Sequence, residues 1–224
     1  MKLLADTQKI IEQFIRTRVN DAGAKGVVLG LSGGIDSAAT LALSASALGS
    51  DNVLGLIMPF KTSESIMLAS NHAKNLGVKT IEYNISDVVT SFKEVSNHYS
   101  SKAAEGNLHS RVRMSLLYGE AFSSNCLVIG TSNKSELLVG YYTKWGDGAS
   151  DFLPIGDLYK TQVYEISKHL DVPSEIIGRP PTAELWEGQT DELELGIDYA
   201  TLDQILLGLE RQISKKDLSS KSGI

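Results

Sequence analysis

Between residues 4 and 19 the apolar side chains Ile10, Ile11, Phe14, Ile15 and Val19 recur at helical spacing with charged residues between them, which predicts an amphipathic helix. The period then shortens. Val27-Val-Leu-Gly-Leu31 is an apolar run with β-branched residues, followed by a Ser/Gly-rich turn and a small-residue segment over 37–48; this reads as strand, tight loop and buried helix. The unit repeats as a strand over 53–58, a helix over 63–76 and a strand over 79–83. Residues 86–97 and 108–124 read as helices, and Cys126-Leu-Val-Ile-Gly130 as a further buried strand. A polar, glycine-rich loop is expected over 131–156, a helix over 158–170, a mobile loop over 178–194 and a closing helix over 197–213. Such alternation predicts an α/β fold: a single doubly wound parallel sheet with helices on both faces, Rossmann-like in its winding. One domain over 1–214 and a flexible tail over 215–224 complete the expected organisation.

Composition narrows the class without changing that picture. With 42% hydrophobic and 21% charged residues the chain has the make-up of an ordinary globular protein. Its net charge of −6 argues against a nucleic-acid partner held by phosphate neutralisation. Cys126 is the single cysteine and sits in an apolar run, so a small packed hydrophobe is expected there and no disulfide framework exists. No segment approaches the ~20 apolar residues of a membrane span, and the N-terminus lacks a signal-peptide core. The expected location is cytoplasmic, with no membrane partner.

The strongest local motif is Leu31-Ser-Gly-Gly-Ile-Asp-Ser37. Placed between a strand and a helix, it offers backbone N–H groups to an anion, Gly33 and Gly34 let the chain approach phosphate oxygens, and Ser32 and Ser37 add hydroxyl donors. Gly-Gly alone would be an ordinary capped turn; the whole run in this context points to phosphate. It lacks the Gly-Lys-Ser/Thr ending of the P-loop and the dinucleotide fingerprint. It resembles the Ser-Gly-Gly-x-Asp-Ser pyrophosphate loop (PP-loop) of the ATP pyrophosphatase superfamily. That resemblance implies an adenine-nucleotide α-hydrolase-like fold and cleavage of ATP between its α and β phosphates.

A second constellation, Gly130-Thr-Ser-Asn-Lys-Ser-Glu136 and Gly140-Tyr-Tyr-Thr-Lys-Trp-Gly-Asp-Gly148, follows a later strand. In open α/β sheets ligands sit beyond the carboxyl ends of the strands, where the winding reverses. If the two motif-bearing strands flank that point, Asp36 and Glu136 converge, and two carboxylates facing a triphosphate are natural Mg²⁺ ligands. Helix capping for Asp36 and a solvated helix-start charge for Glu136 are the alternatives.

These motifs, with Asp151, Pro154, Leu158-x-Lys-Thr161, Asn107-x-x-x-Arg111-x-Arg-Met114, Pro181-Thr-Ala-Glu-Leu185 and Gln189-x-Asp-Glu192, resemble the NAD synthetase family. The similarity spans about residues 27–203. It implies ammonia-dependent conversion of deamido-NAD to NAD, with ATP as co-substrate and Mg²⁺ as metal. Carried over by position, Gly30, Leu31, Ser32, Gly33, Gly34, Ile35, Asp36 and Ser37 would bind ATP, with Thr131, Lys160 and Thr182 as further contacts. Arg111, Lys144 and Asp151 would contact deamido-NAD; Asp36, Glu136 and Lys160 are the catalytic candidates. Lys160 would offset charge on departing pyrophosphate, and Arg111 offers a rigid fork of donors. A homodimer with the dinucleotide site partly at its interface is also implied.

Relatives continue past the last helix into a basic His-Lys segment that closes over the dinucleotide; the chain reaches Ile224 without one, so the match supports the chemistry better than the substrate affinity. About thirty residues precede the phosphate loop, too few for a glutaminase domain, so free ammonia, or ammonia from a separate protein, is the expected nitrogen source. Histidines 72, 98, 109 and 169 show no metal-ligand spacing, and surface or packing roles suffice for them. Two rival readings stay open at this point: another PP-loop amidotransferase or thiolase, and a non-catalytic adenine-nucleotide-binding protein.

Overall fold

The computed structural model describes residues 3–186 and 188–214; the tail expected over 215–224 lies outside them. Four parallel strands, β1 (Val27–Gly30), β2 (Val53–Ile57), β3 (Lys79–Glu82) and β4 (Leu127–Val128), form one sheet in the order β3-β2-β1-β4. The register runs Val27↔Val53 between β1 and β2, Leu54↔Lys79 between β2 and β3, and Val27↔Leu127 between β1 and β4. The chain winds outward from β1 to β3, then crosses back to lay β4 on the other side of β1. The topological switch point therefore lies between β1 and β4, the two strands whose carboxyl ends carry the sequence motifs.

Alternation along β1 builds both halves of the core. Val27 and Leu29 join a cluster with α1 (Thr7–Asp21), α2 (Ile35–Leu48), α3 (Glu64–Asn75), α7 (Lys160–His169) and α8 (Ser174–Ile177). Val28, one residue out of phase, joins Leu56, Met58 and Val128 against α4 (Ser86–Val95) and α5 (Lys102–Ser124). Adjacent residues of a strand point to opposite faces, so a sheet covered on both sides reads as an unbroken apolar run. Helix α2 is buried at nine of the ten positions from Ile35 to Ser44, the exception being Asp36, which is only partly covered; α1 and α7 enclose it. Small side chains (Ala38, Ala39, Ala42, Ser44) permit that enclosure.

Several boundaries differ from expectation for identifiable reasons. On α1 the buried side chains are Ile11, Ile15 and Val19, while Ile10 and Phe14 stay largely outside the core. Helix α5 starts six residues earlier than expected, because the Ser101 hydroxyl accepts the Ala104 N–H at 3.2 Å and caps a polar first turn. The expected loop over 131–156 contains α6 (Lys134–Val139); two capping bonds sustain a helix too short to show a period. The segment expected as loop over 178–194 holds the start of α9 (Asp191–Leu195) and the buried side chains of Gln189 and Asp191. The chain closes on α10 (Tyr199–Glu210). Among the described residues no helix is long and apolar enough to cross a membrane.

Candidate active site

The loop after β1 is built to approach an anion. Gly33 has φ +80°, and a Cβ on it would lie 2.3 Å from the Ser65 carbonyl oxygen, so glycine is required both by conformation and by space. Ser37 donates its hydroxyl to the Gly34 carbonyl at 2.9 Å, and the Gly34 N–H is donated to the Ser32 oxygen at 3.2 Å. No side chain caps α2, leaving its first-turn N–H groups at the positive end of the helix dipole. Gly30, Leu31 and Ile35 set the direction of the turn, with Leu31 and Ile35 anchored in the core.

Beside this loop, the chain leaving β4 turns into α6 through a capping box. Asn133 Oδ1 accepts the Glu136 N–H at 3.1 Å, and Glu136 Oε2 accepts the Asn133 N–H at 3.2 Å. Because Oδ1 is committed to the cap, the amide nitrogen of Asn133 faces Asp36 and donates to Oδ1 at 3.0 Å. The two strand ends are thereby joined across 97 residues of sequence.

Lys160 lies between the two carboxylates. Its ammonium donates to Asp36 Oδ2 at 2.5 Å and to Glu136 Oε1 at 3.3 Å, and sits 5.0 Å from the centroid of the Tyr199 ring. The lysine side chain is 2% exposed, against 18% for Asp36 and 14% for Glu136. The carboxylates thus form the solvent side of the cluster and the cation its floor. Burial alone would lower the Lys160 ammonium, but Asp36 and then Glu136 overcome it and hold it charged well above the ordinary lysine range. Burial pushes the Glu136 carboxyl up to about 8, opposed by Lys160 and reinforced by Asp36.

The chemistry of this set fits a hard divalent cation. With Glu136 ionised, the form a bound cation favours, two carboxylates against one ammonium leave a net negative charge, and each carboxylate oxygen, already accepting one hydrogen bond, keeps a second lone pair. Among the described residues no group of three or more His, Cys, Asp or Glu side chains forms a protein-only metal cage. A cation held by two carboxylates, phosphates and water is the usual arrangement for Mg²⁺.

The remaining sequence candidates are placed differently. Thr131 follows β4 on the way to Asn133, and Thr182 uses its hydroxyl to accept the Glu184 N–H at 3.0 Å. Arg111 and Lys144 are exposed and share one contact, Arg111 Nε donating to the Lys144 carbonyl at 3.3 Å. The Lys144 ammonium lies 5.8 Å from the centroid of the exposed Trp145 ring. Asp151 serves the sheet edge: its Oδ2 accepts the Val128 N–H at 2.7 Å while its own N–H is donated to the Val128 carbonyl at 2.9 Å. Of the four histidines, His72 and His109 are buried; burial pushes His109 down to about 4.

A model of the NAD synthase family matches residues 7–224. The chain belongs to the NAD synthase family. An NH(3)-dependent NAD(+) synthetase of Methanococcus aeolicus is 50% identical over 214 residues, 93% of this chain and 84% of that protein. One from Archaeoglobus fulgidus is 50% identical, with 94% and 87% covered. Among solved structures, an NMN synthetase from Francisella tularensis superposes with a TM-score of 0.86 at 35% identity, covering 91% of this chain and 85% of that one. An NH3-dependent NAD synthetase from Campylobacter jejuni superposes at 0.82 and 32% identity, covering 100% and 93%. The parallel sheet with helices on both faces is shared with these structures, and the Leu31–Ser37 loop lies at its switch point.

Two residues that a motif quoted without a role, Asn133 and Ser135, and one that no motif included, Asp203, turn out to hold the site together. Asn133 bridges the two strand ends, and Ser135 and Asp203 are buried behind Glu136 and Lys160. For Asn133 the signal was available: Asn followed three residues later by Glu is a capping box. For Asp203 the available signal was a carboxylate next to Leu202 on the buried stripe of the closing helix.

Proposed function

We propose that this chain is an ammonia-dependent NAD synthetase, a ligase that forms a C–N bond on deamido-NAD at the cost of ATP. A carboxylate is a poor electrophile and must be activated. The nicotinate oxygen attacks the α-phosphorus of ATP, the α–β phosphoanhydride bond breaks, and pyrophosphate departs. Ammonia then adds to the acyl carbon of the adenylate, the bond to AMP breaks, and one ammonia proton is lost to give the amide. The observation that carries this reading is the single cluster in which the PP-loop aspartate, the capping-box Glu136 and Lys160 meet at the β1/β4 switch point.

Within that cluster, Gly33, Gly34 and the first turn of α2 take the phosphates, while Ser32 and Ser37 add hydroxyl donors. Asp36 and Glu136 would hold Mg²⁺, which when bound offsets phosphate charge and orients the leaving pyrophosphate. Lys160 aligns both carboxylates from behind, and adds positive charge near the site where negative charge develops. Arg111, Lys144 and Asp151 are proposed to receive the dinucleotide. A homodimer is proposed as the assembly; the large exposed side chains Val95 and Phe122, at 88% and 92%, are surface that a second copy could cover. A cytoplasmic location goes with this reading.

The test is release of AMP, pyrophosphate and NAD from ATP and Mg²⁺, with deamido-NAD and ammonia each present or omitted. The expected result is NAD in proportion to AMP, both abolished by Glu136→Ala. ATP binding without AMP release in the presence of deamido-NAD would sink the reading. The strong superposition on an NMN synthetase makes nicotinate mononucleotide the necessary comparison: turnover of that acid in preference to deamido-NAD would move the chain to the mononucleotide reaction.

A further inference from the structure

Asp203 is 1% exposed on α10, and no ion pair among the described residues includes it. A carboxylate in such a place is costly unless its oxygens are fully bonded. One oxygen accepts the Ser135 hydroxyl in a short hydrogen bond, and the other accepts the Thr161 N–H at 2.8 Å. The Ser135 oxygen in turn accepts the Lys160 N–H at 2.9 Å. Thr161 lies in the first turn of α7, so the positive end of that helix meets the carboxylate charge.

The partners are the residues next to the two groups that form the site. Ser135 precedes Glu136 at the start of α6, and Thr161 follows Lys160 at the start of α7. One carboxylate therefore fixes the separation of two helix starts whose side chains must meet within hydrogen-bond distance. A second tie runs parallel to it: Glu210, also on α10, accepts from Lys134 Nζ at 2.7 Å and from the Tyr159 hydroxyl at 2.9 Å. Lys134 and Tyr159 are the neighbours on the other side of the same two starts.

We propose that Asp203 is a positioning residue that, by holding Ser135 and the Thr161 amide together, sets the approach of Lys160 to Glu136 and Asp36. The proposal rests on the synthetase reading for its kinetic test. Asp203→Asn is the informative change. The Asn oxygen can still take the Thr161 N–H, but its amide would present a donor to Ser135. The Ser135 oxygen, already accepting from Lys160, would then face two donors with its own proton unplaced.

The experiment measures kcat and KM for ATP and deamido-NAD in Asp203→Asn, Ser135→Ala and the double variant, well below their unfolding temperatures. It is paired with crystal structures of the same proteins. The expected result is a fall in kcat of about a hundredfold, the cost of a misplacement of about an ångström in a reacting set. Both KM values should stay unchanged and the double variant should be no worse than the poorer single one. Lys160 Nζ should lie farther from Asp36 Oδ2 than the 2.5 Å seen here. Unchanged kcat with only a lowered Tm, or losses that multiply in the double variant, would overturn the proposal. If Asp203→Asn does not fold, Ser135→Ala carries the same test by removing one buried hydroxyl. Failure of the wild-type protein to make NAD would count against the synthetase reading alone, because the crystallographic distance judges the positioning claim by itself.

Discussion

The buried cluster at the β1/β4 switch point and the exposed rim formed by Arg111, Lys144 and Asp151 contrast in how they are held. At the switch point the functional side chains bond to each other. Asp36, Asn133, Glu136 and Lys160 come from α2, the β4 exit, α6 and α7, and α10 braces them from behind. On the rim the three side chains do not bond to one another: Arg111 donates to the Lys144 carbonyl, while Asp151 accepts from the Val128 amide and, at 3.4 Å, from the Tyr118 hydroxyl. Sheet topology gathers the first set, ties Asp151 to the sheet edge and leaves Arg111 and Lys144 exposed. Groups proposed to act on a phosphate are fixed by bonds to one another, whereas the exposed groups proposed to receive the larger substrate retain freedom to adjust.

The contrast is broken most strongly by removing the cation at the centre. Lys160→Ala leaves two partly buried carboxylates facing each other without a counter-charge, and the expected cost is about 3 kcal/mol of stability. Activity should fall about a thousandfold. Denaturant unfolding and single-turnover AMP release check both, and a variant that folds as stably as wild type would show that the cluster is not held by its ion pairs.

A pH titration sharpens the same comparison without mutation. Glu136, raised to about 8 by burial, is neutral below that value, and a neutral carboxyl holds a divalent cation poorly. The kcat/KM for ATP should therefore rise with pH and level off above about 8. Higher Mg²⁺ should move the limb toward acid, since a cation favours the ionised form. A limb in the ordinary carboxylate range, or one that Mg²⁺ leaves in place, would contradict this placement. The sign for stability is opposite: a carboxyl raised above its unfolded value contributes most below about 4.5, and the contribution is lost as pH rises through about 8.

The rim should respond in smaller and separable ways. Asp151→Ala strips the acceptor from the Val128 N–H at the sheet edge and should cost about 1–2 kcal/mol of stability. Arg111→Ala touches one exposed carbonyl contact, so stability should stay within about 0.5 kcal/mol. The KM for deamido-NAD should rise about tenfold if the guanidinium meets a charged substrate group. Equal stability losses in the two variants, read from thermal unfolding, would remove the distinction drawn between them.

The parts of this molecule that were legible in its sequence are those with strong periods or full motifs. The apolar runs at β1, β2 and β4 were legible because a strand in the middle of a covered sheet needs near-unbroken hydrophobicity, while the edge strand β3, Lys79–Glu82, alternates and stays largely unburied. The Leu31–Ser37 run announced its loop because the full Ser-Gly-Gly-Ile-Asp-Ser run, unlike two glycines alone, is more than a turn between a buried strand and a buried helix needs. Helix α6 was hidden, since six residues are too few to show a stripe and its stability resides in the Asn133 and Glu136 capping bonds. Asp203 was only faintly legible: its place next to Leu202 on the buried stripe was the one sign against reading a helix carboxylate as solvated, and only three-dimensional neighbours reveal its bonds to Ser135 and Thr161. The convergence of Asp36 and Glu136 was legible only on the condition that the two motif-bearing strands flank the switch point, and the placement of β4 beside β1 meets that condition.

The central claim is that Asp36, Glu136 and Lys160 act as one unit at the switch point. The most direct measurement is kcat/KM for ATP in the three single alanine variants and in the triple variant. Groups that work only together lose nearly everything at the first removal, so the triple variant should fall no more than about tenfold below the weakest single one. Losses that multiply across the three positions would show three independent residues and contradict the account.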